Sequence, residues 1–425
     1  MSLWRAGIVN LTPLWLLILA PFLLFPGPIR ALALLGLPFL WMLNKWERGY
    51  FVRRAPFDWP VLLMLLMMLV SLYATFSLEF SLPKISGLLF HIAIFYAALE
   101  TVKNRSGVYR SVALYLTLGA GITAFSLANT QWLFKVPFLK DLAARLPVLL
   151  SLPGAEGGFS PNQLAGVLLV LLPVSFSLAL FAAVGHRNEG DSIFRFRWLL
   201  WGAALLFLLT LILTQSRGGW IGAIAGAATM AALWDKRLRW VVGAGTLAAI
   251  AGASLVGWET VGNLLVSDTT EAMVGNLGSL GFRQEVWRAA LWGVSDFPFT
   301  GMGMGTFREV SRVLYPMNVA PSYDIAHAHN QFLQTALDLG IPGLVAYIAL
   351  WLGGGYLLWQ TIVQATDPLM RALAIGVSGA FAGFAVYGLS DAVALGSKPG
   401  FFWWWLLALS VGVYQLRLET GANDD

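Results

Sequence analysis

The chain has 425 residues, of which 58% are hydrophobic and only 12% charged, with a net charge of +5, no cysteine and a mean hydropathy of +0.72. These proportions exclude a water-soluble globular core and point to an all-α, polytopic integral membrane protein. The lack of cysteine excludes disulfides, iron–sulfur clusters and thiol nucleophiles.

A hydrocarbon core about 30 Å thick takes roughly 20 apolar residues per helix. In a single chain of this composition lipid leaves helices as the spanning elements. Such runs are predicted, in chain order, at 8–25, 28–44, 59–77, 85–100, 108–130, 162–184, 198–214, 218–234, 240–257, 331–363, 371–390 and 400–416. These twelve make one membrane domain, 1–425. The first has no small-residue cleavage site and reads as a retained span. Most of the 27 basic residues fall in NKWERGYFVRRAPFD, VKNRSGVYR, HRNEGDSIFRFR, DKRLR and at Arg5, Arg371 and Arg417. The positive-inside rule then makes those connections and both termini cytoplasmic. Two long outer connections remain, 131–161 with Lys135, Lys140 and Arg145, and 258–330. Lys84 and Asp391 fall near the same outer boundary. GAIAGAATMAA and GAGTLAAIAGA read as close helix contacts, and FFWWWLL as part of an interfacial aromatic belt.

The 258–330 connection has room for two short helices. RQEVWRAALWGV reads as an amphipathic helix at the surface and FPFTGMGMGTF as a glycine-rich turn. GMGMG does not lie between a strand and a helix, so it is not a dinucleotide fingerprint. Arg283 and Arg288 stand five residues, or about 140° of helix, apart and cannot share a face. Arg283 can stack on Trp287, and Arg288 can pair with Glu285. Of the two, Arg288 is the preferred functional residue. Arg217, in LTQSRGG between two spans, sits at the membrane boundary, either snorkelling or offering its planar fork to phosphate oxygens.

Two of the four histidines, His327 and His329, lie one residue apart just before the long 331–363 run. As metal ligands they lack a third partner at a recognised spacing, Asp324 being the only carboxylate close in sequence, so no metal or other cofactor is expected. His91, inside LLFHIAIF, reads as a buried helix residue. Asn330 can cap a helix starting at Gln331. His329 then sits just outside a helix N-terminus, whose dipole disfavours imidazolium, and becomes a candidate general base. Gly340-Ile341-Pro342-Gly343 interrupts the run, which a passive span would not require.

His329-Asn330, nine residues, then Gly340-Ile341-Pro342-Gly343 resembles the H-N-x9-G-x-x-G pattern of O-antigen ligases. FSPNQLAGVLLVLLP at 159–173, LTQSRGGWIGA at 213–223 and FRQEVWRAALWGVSDFPFTGMGMGTF at 282–307 support the likeness in order and spacing. The resemblance implies a GT-C-like membrane glycosyltransferase in the inner membrane of a Gram-negative bacterium, its active site and the 258–330 loop facing the periplasm. It implies an undecaprenyl-pyrophosphate-linked glycan as donor and lipid A–core as acceptor. It also implies His329 as base, with Arg217, Arg288, Arg283 and Asn162 as substrate-binding residues. An O-antigen polymerase joining two lipid-linked glycans, or a protein O-oligosaccharyltransferase, is the alternative. A transporter would need a polar path through the bilayer, and ionisable residues deep in the spans are sparse. No nucleic-acid partner is expected.

Overall fold

A computed structural model describes residues 13–14, 16–17, 28–130, 132, 139, 141, 145–146, 158–184, 197–257, 279–319 and 325–418. Lys135, Lys140, Asp324 and almost all of the predicted 8–25 span lie outside them. The described residues are predominantly helical, with no strand among them and one isolated bridge between Thr130 and Phe159. In chain order the helices are α1 (Pro28–Arg48), α2 (Asp58–Ala74), α3 (Leu78–Thr101), α4 (Arg105–Leu127), α5 (Pro161–Val184), α6 (Arg197–Leu213), α7 (Arg217–Trp234), α8 (Lys236–Val256), α9 (Ser279–Asp296), α10 (Phe307–Leu314), α11 (Gln331–Gln364), α12 (Pro368–Gly388) and α13 (Phe401–Gln415). Every predicted run from 28–44 onward coincides with one of them. Six described helices are long and apolar enough to cross a membrane: α3, α4, α5, α8, α11 and α12; α2 and α6 are shorter apolar helices. The chain is a multi-pass membrane protein.

Small residues set the tightest crossings. A Cβ on Gly222 of α7 would lie 2.6 Å from the Gly383 carbonyl of α12, and one on Gly226 would lie 2.7 Å from that of Gly379. Backbone therefore meets backbone along this seam, as the GAIAGAATMAA run predicted. The second glycine-rich run behaves differently. On α8 a Cβ added at Gly243, Gly245 or Gly252 would meet open space, and the helix has no buried residue.

The FFWWWLL reading needs correction. Trp403, Trp404 and Trp405 are buried in α13, packed on α3, α4 and α11, and Trp405 Nε1 donates to Ser111 Oγ at 2.9 Å. A helix that is apolar on every side belongs inside the protein rather than at its rim. Other tryptophans do stand outward near the ends of α1, α2, α6 and α8: Trp46, Trp59, Trp198 and Trp240.

Charges sort the bundle into two ends. At one, Arg48 and Lys103 pair with Glu100, Arg105 pairs with Asp367 at 3.1 Å, and Arg53 donates to Gln415. These are the connections that the basic-residue count grouped together. The other end carries the starts of α5, α7 and α11, the end of α12, and a cap built from α9, α10 and the glycine-rich turn. Phe282, Val286, Ala289, Met302, Phe307, Val310, Ile325 and Leu337 give that cap its own small apolar cluster. Among the described residues of the 258–330 connection two helices form, and α9 lies against the first turns of α11.

Candidate active site

The capped end is organised around the break in α11. Gly340 has φ +70° and ψ 176°, a conformation essentially reserved for glycine. A Cβ there would run into the Phe299 carbonyl. The glycine-rich turn fills this approach, with Met302 N donating to Leu337 O and Ile341 N to Pro298 O, both at 2.7 Å. Gly305 N donates to Asp338 Oδ1 at 2.9 Å, Gln334 Nε2 reaches the same oxygen at 2.8 Å, and Gln334 Oε1 accepts from Ala328 N at 2.8 Å. GMGMG is therefore a clasp. It joins the break in α11 to the loop that carries both histidines.

That loop enters α11 through Asn330, whose side chain accepts from Phe332 N and Leu333 N at 3.0 Å. Its Nδ2 donates to Leu389 O at 3.1 Å, fixing the loop to the end of α12. His329 has φ +48°, a left-handed conformation uncommon outside glycine. Its N–H donates to His327 Nδ1 at 3.2 Å and its carbonyl accepts from Trp287 Nε1 at 3.3 Å. Phe282 of α9 meets the His329 ring edge-on, with centroids 5.4 Å apart.

Asp391 follows the end of α12, is buried, and faces both imidazoles. Its Oδ1 lies 3.5 Å from His329 Nδ1 and 3.8 Å from His327 Nε2. Burial alone would raise its pKa. Contact with His329 and the fields of His327 and Arg283 outweigh burial and hold it at about 2. His327 is lowered to about 4, first by burial and then by His329, Lys84 and Arg283, against an opposing pull from Asp391. Near neutral pH this leaves an anionic Asp391 beside a neutral His327.

His327, His329 and Asp391 offer ligand atoms within 4.8 Å of one another, a spacing that fits a metal ion. The expectation of no third ligand is thereby corrected. Asp391, 62 positions beyond His329, is brought in by the fold, whereas local spacing offered only Asp324. Lys84 and Arg283 already bias the same volume positively, which favours an anion there over a further cation.

Of the predicted site residues, His329 and Arg283 share this cluster. Arg217 opens α7 after the Ser216 cap, whose Oγ accepts from Gly219 N at 3.3 Å. A Cβ on Gly218 would lie 2.7 Å from Ser390 Oγ, so the Arg217 turn abuts the residue preceding Asp391. Asn162 joins through its backbone, its carbonyl accepting from Tyr387 OH at 2.6 Å. Arg288 lies on the exposed side of α9, paired with Glu285 at 2.5 Å and set over the Trp292 ring at 5.4 Å. His91 is buried in α3, as expected. The sequence reading set Asp391 and Lys84 aside and did not single out Asp338 or Gln334. Ionisable side chains in strongly apolar surroundings were the available signal.

The fold and this cluster define an all-helical, multi-pass membrane protein with an ionisable centre of histidine, carboxylate and arginine at one end. Residues 202–348, from α6 through the histidine loop and the break in α11, match the family model described as O-antigen ligase. That match covers 147 of the 425 residues, so it makes this segment similar to the O-antigen ligase family. No curated protein matches the chain.

Proposed function

We propose that the protein is an O-antigen ligase. It transfers glycan from an undecaprenyl-pyrophosphate carrier to a sugar hydroxyl of lipid A–core, at the periplasmic face of a Gram-negative inner membrane. Twelve spans in a GT-C-like arrangement, with both termini cytoplasmic and the 258–330 connection outside, are part of this reading. The observation that carries it is the convergence of His329, Asp391 and Arg283 at one end of the bundle, inside and beside the matched segment.

Asp391 engages Nδ1 of His329 and leaves Nε2 as the basic nitrogen. His329 Nε2 takes the proton of the acceptor hydroxyl as that oxygen attacks the anomeric carbon. The bond from that carbon to the pyrophosphate oxygen breaks, and its electron pair leaves with the lipid pyrophosphate. Attack opposite the leaving group inverts the anomeric centre. Asp391 stabilises the imidazolium as it forms. Arg217 and Arg283 stand where charge grows on the leaving group, and Arg288 guides the donor from the rim. Asn162 holds the start of α5 against α12 at the donor side. Arginines supply the charge compensation, so the reaction is metal-independent.

The test is transfer by the purified protein supplied with both lipid-linked glycan and lipid A–core. Glycan joined to lipid A–core supports the ligase. Lengthened carrier-linked glycan with unmodified core replaces it with the polymerase.

A further inference from the structure

One cavity among the described residues lies away from the histidine centre, at the basic end of the bundle. It is a groove of about 730 Å³ between α4 and α6, floored by Leu178 of α5 and Leu369, Met370 and Leu373 of α12. That volume is typical of ligand sites, which run from about 300 to 1,000 Å³. The salt bridge from Arg105 to Asp367 fixes its level beside the first turns of α4 and α12. His329 and Asp391 lie at the other end of α12, a helix of 21 residues and therefore about 32 Å long.

On α4 the lining runs from Tyr109 to Ala120, a rise of about 16 Å. That is about half of a 30 Å hydrocarbon core, the depth of one leaflet. Apart from Thr117 the wall is apolar over this depth, and its one charged lining residue, Arg110, stands at the mouth on the basic end. Trp198 also lines it, largely exposed, with the Arg197 guanidinium 5.0 Å from its ring centroid. An exposed tryptophan beside arginine marks headgroup depth. Arg371 follows Met370 at the same level, while the carboxylate there, Asp367, is engaged by Arg105.

We infer that this groove binds an anionic phospholipid of the leaflet opposite the histidine centre, with an acyl chain against Leu116, Ala203 and Leu206 and its phosphate between Arg110 and Arg197. A zwitterionic lipid offers the same chains without the net charge. Preference for the anionic headgroup is therefore the distinguishing property, and each basic side chain near such a surface contributes roughly fivefold. The inference does not depend on which glycan the protein transfers.

The absence of native cysteine allows single-site labelling. Ala203→Cys carries a thiol-reactive benzophenone in vesicles of phosphatidylcholine with equal phosphatidylglycerol, and Leu352→Cys, 70% exposed on α11, reports bulk lipid. After illumination, mass spectrometry should find phosphatidylglycerol adducts favoured at least fivefold at position 203 and unfavoured at 352. Arg110→Ala should reduce the preference about fivefold, and Arg110→Lys should keep it. Equal labelling of both lipids at 203 would overturn the inference. So would adducts on a second copy of the chain, or on another segment of the same chain, either of which would then be the groove's occupant.

Discussion

Replacing Asp391 by asparagine keeps the shape and the acceptor for Ala392 N but removes the charge that faces His329. At 3.5 Å and an effective dielectric of about 20, a carboxylate and an imidazolium attract by about 5 kcal/mol. The asparagine amide oxygen retains a dipolar contact with the ring worth about 1–2 kcal/mol, so roughly 3–4 kcal/mol is lost from the transition state. With about 1.4 kcal/mol per tenfold in rate, Asp391→Asn should lower kcat by about 10²–10³. KM for the lipid-linked donor should move little, because the lost interaction appears only when His329 holds the proton. The assay is initial-rate transfer by purified protein at matched folded fraction, judged by thermal unfolding in detergent. A kcat within threefold of wild type, with the fold intact, would refute the coupling of Asp391 to His329.

The arginines should separate by position. Arg217→Lys and Arg283→Lys should each cut transfer at least tenfold through loss of paired hydrogen bonds to phosphate, while Arg288→Lys, exposed and paired with Glu285, should fall less. Full activity in the first two would return them to interfacial anchors. Gly340→Ala should lower the yield of folded protein and its apparent Tm sharply, since the alanine meets the Phe299 carbonyl and a φ of +70°; a stable, active variant would show that the clasp is not needed. His327, at about 4 when folded against about 6.5 in a free chain, resists protonation in the native state. Stability is then full above about pH 6.5 and falls as pH drops toward 4, and His327→Gln should flatten that dependence in thermal scans. An unchanged slope would remove His327 as its source.

The helices were legible because apolar runs of membrane length report themselves by composition, and the cap at Asn330 and the break at Gly340 because those residue types have few other uses. The identity of the buried interior was not. Tryptophans 403–405 look alike whether they face lipid headgroups or neighbouring helices, and only packing separates the two. His329 and the Arg217 turn stand out by local pattern, and the roles given to them belong to the proposal. Asp391 does not stand out, because its partner in space lies 62 residues away and carries no spacing to read. Helical geometry separates Arg283 from Arg288, but the preference for Arg288 fell on the residue that pairs with Glu285 on the exposed side, while Arg283 is the one beside the histidines. Which face meets the histidines depends on how α9 lies on α11, a tertiary fact. GMGMG was freed of a nucleotide role by context, but its clasp of the α11 break needed the fold.

The most direct test of the central claim is transfer by purified wild type and His329→Ala, each with lipid-linked glycan, lipid A–core and excess chelator. The account predicts ligated product from wild type in the chelator, and less than about 1% of that rate from His329→Ala with donor binding retained. Equal ligation by the two proteins would contradict it, as would a wild-type reaction that stops on chelation and returns with one particular metal.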